Sequence, residues 1–220
     1  MFDIRKVQEK VMYEAVRAKS NADVAGEVVY GCEKAAHTEN NSDWVKSVMR
    51  RLENKFESED VKEIRMDCQC GYGMNEKLVL VKELMAGAAS IEEFTNSEKA
   101  KAAGLFCKGG ELFLQFYFCP CPMLAEVERL ETAAWCQCTT GYSKVLFEQA
   151  FACKVDVELL KSIKMGDSVC LMKITPHTTL SGNKREYDAG GYTALHRRHA
   201  PARSSDRQGS LTSGSFSFTV

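Results

Sequence analysis

Leu105–Phe118, LFCKGGELFLQFYF, decides the fold. In an extended chain Leu112, Leu114, Phe116 and Phe118 point one way, and Phe113, Gln115 and Tyr117 the other. With both faces mostly apolar, the run predicts a central strand with layers on each side. Lys108-Gly109-Gly110, between Leu105-Phe106-Cys107 and Glu111, predicts a hairpin turn.

Upstream of this hairpin the period is helical. Ile4, Val7, Val11, Ala15 and Ala18 form a stripe that predicts a helix over Asp3–Lys19, capped by Asp3. A polar and small-residue stretch runs through Gly31 and Cys32. A second helix is predicted from Ser42, its cap, with Val45, Val48, Met49, Leu52 and Phe56 on one face. After MDCQCGYG comes another apolar helical run, NEKLVLVKELMAG. Ser90 and Glu93 form a capping box that opens a helical stretch ending at Gly104.

Downstream, a helix is predicted over Ser143–Phe151. Val155, Val157 and Leu159 alternate as a strand, as do Ser168–Ile174, with a turn at Met165-Gly166-Asp167. The predicted class is α+β: an antiparallel or mixed sheet with helices packed on it, behind an N-terminal helical region. The predicted body is 1–174, divided into helices over 1–104 and a second half over 105–174.

Residues 175–220 read differently. They are rich in Ser, Thr and Gly and keep no period. From His177 onward the chain holds five Arg but only Lys184, and three of its four histidines. The segment reads either as a disordered extension or as frame-shifted or fused sequence.

The chain has 220 residues, 45% hydrophobic and 27% charged, which is ordinary for a globular protein with a core. Its net charge is −1; six Lys/Arg against three Asp/Glu from His177 onward leave −4 for the rest. A mildly acidic body argues against nucleic acid as a partner. No stretch reaches the roughly 20 apolar residues of a membrane span, and MFDIRKVQEKV lacks the apolar core of a signal peptide. The expected location is the cytoplasm, with no membrane partner. The 10 cysteines then sit in a reducing compartment, as ligands, redox groups or buried apolar residues.

Three Cys-x-Cys pairs stand out: Cys68/Cys70, Cys119/Cys121 and Cys136/Cys138. In extended backbone, positions i and i+2 face the same side. Pro120 and Pro122 exclude helix around the middle pair, and Gly71 and Gly141 suggest loops at the others. These six cysteines are the candidate ligands of zinc or an iron–sulfur cluster. A redox dithiol and plain burial are the other readings. Cys153 and Cys170 read as core residues. The body's one histidine, His37, lies in a polar stretch and gives little support to a Cys-His dyad. CQCGYGMNEKLVLVKEL and CQCTTGYSKVLFEQAF are loosely alike, through duplication or a shared turn into a helix.

From Glu111 to Ile174 the order is a strand, a Cys segment, Trp135-Cys136-x-Cys138, Gly141-Tyr142 opening a helix with Glu148, then strand VDVELLKSI and Gly166-Asp167-Ser168-Val169-Cys170. This order resembles the vinyl-4-reductase-like domain and the L-2-amino-thiazoline-4-carboxylic acid hydrolase-like families. The whole body also resembles a family of uncharacterised bacterial proteins with the same CQC and CPCP segments. The resemblance implies an α/β domain with a small-molecule pocket between helices and sheet. The sequence departs from the pattern in its extra cysteine pairs and in Met172, where an aromatic is frequent.

The leading expectation is a bacterial cytoplasmic domain binding a small molecule or a metal at a cysteine-rich site. One alternative is a hydrolase of a C–N or thiazoline bond, with Cys136 or Cys138 as nucleophile or a metal-activated water. Another is a structural domain that forms homo-oligomers and buries its cysteines.

Overall fold

The computed structural model describes residues 3–31 and 40–178, all within one compact unit, Met1–Asn183. Cys32, His37 and most of the 175–220 segment lie outside the described residues. The elements are α1 (Ile4–Lys19), α2 (Ala22–Tyr30), α3 (Asn41–Glu53), α4 (Ser58–Asp67), α5 (Met74–Ala86), α6 (Ile91–Thr95), α7 (Glu98–Ala102), β1 (Leu105–Lys108), β2 (Glu111–Phe116), α8 (Gln137–Phe151), β3 (Val155–Lys161) and β4 (Cys170–Pro176). The class is α+β, as the sequence predicts.

The sheet is fully antiparallel, in the order β1-β2-β4-β3, so β2 is central. Its hairpin turns on Gly109 and Gly110, both at positive φ, between the paired Lys108 and Glu111. That is the two-residue turn whose twist matches the strands. Leu112, Leu114, Met172 and Ile174 bury one face under Phe147 and Phe151 of α8. The other face is less covered: Phe106 and Phe113 stack at 5.2 Å, and Lys173 pairs with Glu111. Helices thus cover one side of β2 rather than both. Strand β4 runs on to Pro176, and the His177 amide donates to Lys154 O, so the ordered strand passes residue 174.

A second core fills the helical half, from Met12, Val28, Trp44, Val48, Leu52 and Ile64 to Met123, Leu124 and Trp135. Asp3 caps α1 as predicted, but the buried positions of α1 are Gln8, Met12 and Val16, one register away from the predicted stripe. The shift follows from Gln8, whose amide is buried against Cys68 and Cys138. Asn40 rather than Ser42 caps α3. Ser90 accepts the Glu93 amide as predicted, whereas Glu93 returns to the Ala89 amide.

Helices α2 and α4 form where none was predicted. Asn21 caps α2, and α4 buries Val61, Ile64 and Arg65. The last helix, α8, starts at Gln137 rather than Ser143, fused to a 3-10 turn over Ala133–Cys136 that Thr132 caps. Gly141 therefore lies inside α8. A Cβ there would sit 1.8 Å from Met66 O, so the glycine is what lets α8 press against α4.

Candidate functional site: a seam of thiols

The α4–α8 contact and the β2–β4 register together bring most of the paired cysteines into one seam. Cys68 ends α4 as its C-cap. Cys136 closes the 3-10 turn and Cys138 lies in the first turn of α8. Cys119 and Cys121 follow β2. Cys170, opposite Phe116 in the register, opens β4. Electrostatic interactions link Cys119 to Cys170 and Cys121, Cys136 to Cys170 and Cys121, and Cys138 to Cys121, Cys68 and Cys70. Cys70 is half-buried on the flank and faces Lys77 and Tyr142.

The thiols share a seam without gathering at one point. Among the described residues no three His, Cys, Asp or Glu side chains converge as metal ligands would. The Cys-x-Cys spacing explains why. Helical backbone at Cys136 and Gln137 turns the thiols of Cys136 and Cys138 apart. In extended backbone, Cys119 and Cys121 still take different partners. The Cys119 thiol faces Cys170 and receives the Cys121 amide; the Cys121 sulfur faces the Trp135 indole and the amides of Met123 and Leu124.

At the inner end the surroundings are helical and dry. Cys68 is fully buried; its thiol donates to Ile64 O (3.1 Å) and lies 3.7 Å from Met12 Sδ. The Cys138 thiol donates to Cys68 O (3.1 Å). Burial pushes both thiols up, to about 11 for Cys68 and about 12 for Cys138, against the opposing charge of Arg65. Arg65 is itself fully buried. It lies 4.0 Å over the Trp135 ring and donates to Trp135 O (3.1 Å) and Met12 Sδ (3.7 Å). It makes no ion pair among the described residues, and its Nε has no hydrogen-bond partner.

The outer end, beside the sheet, is different. The Cys170 thiol interacts electrostatically with the Cys119 thiol, the Ile163 amide and the Ser162 hydroxyl. These groups hold the Cys170 thiol below its ordinary value despite burial, and raise Cys119, which keeps the shared proton. The Ser162 hydroxyl also lies 3.3 Å from the Cys136 sulfur. Either atom can be the donor in this contact. The turn is fixed by the Ser162 amide donating to Asp167 Oδ2 (2.8 Å) and by Ser162 O accepting from Met165 and Asp167. Burial dominates at Cys136 and pushes its thiol up.

The expected nucleophiles Cys136 and Cys138 thus lie within the seam with raised thiols, while Cys170, read from sequence as core, carries the lowered one. Its signal is non-local: only the β2–β4 register shows that it meets Cys119. Half-exposed Cys119, with exposed Tyr117 and Phe118 before it, forms the rim. A surface groove of about 450 Å³, lined by Glu53, Phe56, Val61, Thr132 and Ala134, lies by the α3–α4 turn, and none of the paired cysteines lines it.

No helix of the described residues is long and apolar enough to cross a membrane. A family model described as a family of unknown function (DUF6144) matches residues 1–181. No curated protein and no solved structure matches the chain.

Proposed function

The chain belongs to DUF6144, a family of unknown function, and from its side chains we propose a binding domain that acts through thiol chemistry, with Cys170 as the reactive thiolate and Cys119 as its resolving partner. What supports this reading is the lowered Cys170 thiol, held down by the neighbouring Cys119 thiol, Ile163 amide and Ser162 hydroxyl at the start of β4. Reactive cysteines sit where donors or positive charge stabilise the thiolate. A second thiol against it completes a dithiol.

Cys170 is only 7% exposed, so the oxidant it meets is small, and a hydroperoxide fits. The Cys170 thiolate attacks the outer oxygen and the O–O bond breaks. The alkoxide or hydroxide leaves with a proton from solvent, and Cys170 becomes a sulfenic acid. Cys119 then attacks the Cys170 sulfur, the S–O bond breaks and water leaves with the Cys119 proton. Overall, two thiols and one hydroperoxide give one disulfide, one alcohol (or water) and one water. The same thiolate would be the nucleophile of the hydrolytic alternative, in place of Cys136 and Cys138.

The test uses the Cys119→Ser variant, which cannot resolve the first product. Hydrogen peroxide at one equivalent, with a cyclic-diketone trap for sulfenic acid, is expected to place the adduct on Cys170. An adduct mainly on another cysteine, or none, would overturn the assignment.

A further inference from the structure

The inner end of the seam has an unmet charge. A guanidinium keeps its proton at any pH a protein meets, and a buried charge without a counter-charge is costly. Arg65 is fully buried and, among the described residues, makes no ion pair and leaves Nε unpartnered. Another orphaned polar atom occurs on a residue of the same seam: Gln8 Oε1. Beyond the Trp135 carbonyl oxygen, which accepts from Arg65 at 3.1 Å, the groups around this cation include soft sulfurs. Met12 Sδ accepts from Arg65 and lies 3.7 Å from Cys68 Sγ. Cys138 Sγ touches Cys68 O at 3.1 Å and Gln8 Nε2 at 3.9 Å.

We infer that Cys68 and Cys138, assisted by Met12, bind one soft monovalent metal ion, Cu(I), with Arg65 as the counter-cation of the complex. The chemistry balances: Cu⁺ and two thiols give a bis-thiolate copper anion of charge −1 and release two protons. That charge offsets Arg65. Zinc on the same two thiolates would be neutral and leave Arg65 unmet. Four thiolates would suit zinc, but no such group converges here. Thiolate and thioether ligands favour Cu(I) over harder ions. Two sulfurs bonded to one ion at about 2.3 Å sit roughly 3.8 to 4.6 Å apart as their angle opens from tetrahedral to linear. The Cys68–Met12 separation of 3.7 Å is close to the bent limit. This site is independent of the Cys119–Cys170 pair, so either can fail alone.

The experiment titrates the reduced full chain with Cu(I) alone, without oxygen, against a chromophoric Cu(I) chelator. One Cu(I) per chain should be withheld from the chelator. The Cys119→Ser/Cys170→Ser variant should withhold it equally, and Cys68→Ser/Cys138→Ser should lose it. Met12→Leu, which keeps the volume, should weaken binding at least tenfold, as should Arg65→Met. Circular dichroism identifies any variant that fails to fold, and the wild-type competition and the Met12→Leu result then decide. Failure of the wild type to withhold Cu(I), retention by Cys68→Ser/Cys138→Ser, or Zn(II) displacing Cu(I) stoichiometrically would overturn the inference.

Discussion

Cys170 and Cys138 belong to one seam, yet their surroundings push their thiols in opposite directions. Cys138 meets carbonyl and amide groups of closely packed helices, where burial outweighs the charge of Arg65. At Cys170, at the end of a sheet, the influence of Cys119, Ile163 and Ser162 outweighs burial and holds the thiol below its ordinary value. Burial alone therefore does not set thiol reactivity in this protein. What differs is whether the neighbouring groups outweigh burial. At the helical end burial keeps the thiols protonated; at the sheet end the neighbouring groups favour a thiolate.

The largest effect expected on this contrast comes from removing the contact that forms the inner end. Gly141→Val would drive a side chain into Met66 O, where even a Cβ lies at 1.8 Å. Separating α8 from α4 should cost about 3 kcal/mol or more. Thermal unfolding should move down accordingly, and alkylation of Cys68 and Cys138 in the native protein should become fast. An unchanged melting temperature would show that the helices are not held by this approach.

A smaller effect separates the two ends by pH. Cys68 and Cys138 have folded values raised above the ordinary thiol value near 9, to about 11 and about 12. Their contribution to stability is full below the unfolded value and is lost as pH rises through the folded values. Metal-free protein should therefore weaken between pH 9 and 12, by up to about 1.4 kcal/mol per unit for each thiol. Cys170 behaves oppositely: its lowered thiol contributes stability above the unfolded value and loses it as pH falls through the folded one. Urea midpoints across this range should fall less steeply in Cys68→Ala/Cys138→Ala. An equal slope in wild type and variant would mean that the inner thiols are not held neutral.

The smallest effect sharpens the outer end. Ser162→Ala removes one donor to Cys170, a hydrogen bond to a charged group worth ~1.5 kcal/mol. Alkylation of Cys170 at neutral pH should slow roughly tenfold, and its pH midpoint should rise, while Cys138 stays unchanged. No change at Cys170 would place the hydroxyl proton on Cys136 instead.

The parts of the fold legible in sequence were those whose periodicity is local. ELFLQFYF alternates cleanly, and Gly109-Gly110 marks its turn, so the hairpin and the antiparallel sheet could be read. Helix α4 could not, because Arg65 occupies a core position and breaks the apolar stripe. The same masking hid the register of α1, where Gln8 takes a buried place. Gly141 misled in another way: a glycine that permits close helix packing reads from sequence as a helix start. The cysteine pairs were visible, but their partners were not. Cys-x-Cys suggested that each pair acts together, whereas Cys119 finds Cys170, 51 residues on, through a register that spacing cannot show.

The central claim, that Cys119 and Cys170 form the reactive pair, is tested most directly by treating reduced wild-type protein with one equivalent of hydrogen peroxide and mapping its disulfides by peptide mass. The account predicts a Cys119–Cys170 disulfide as the main product, with Cys68 and Cys138 recovered as free thiols. A main product linking Cys136 or Cys138 to another cysteine, with Cys170 still free, would contradict it.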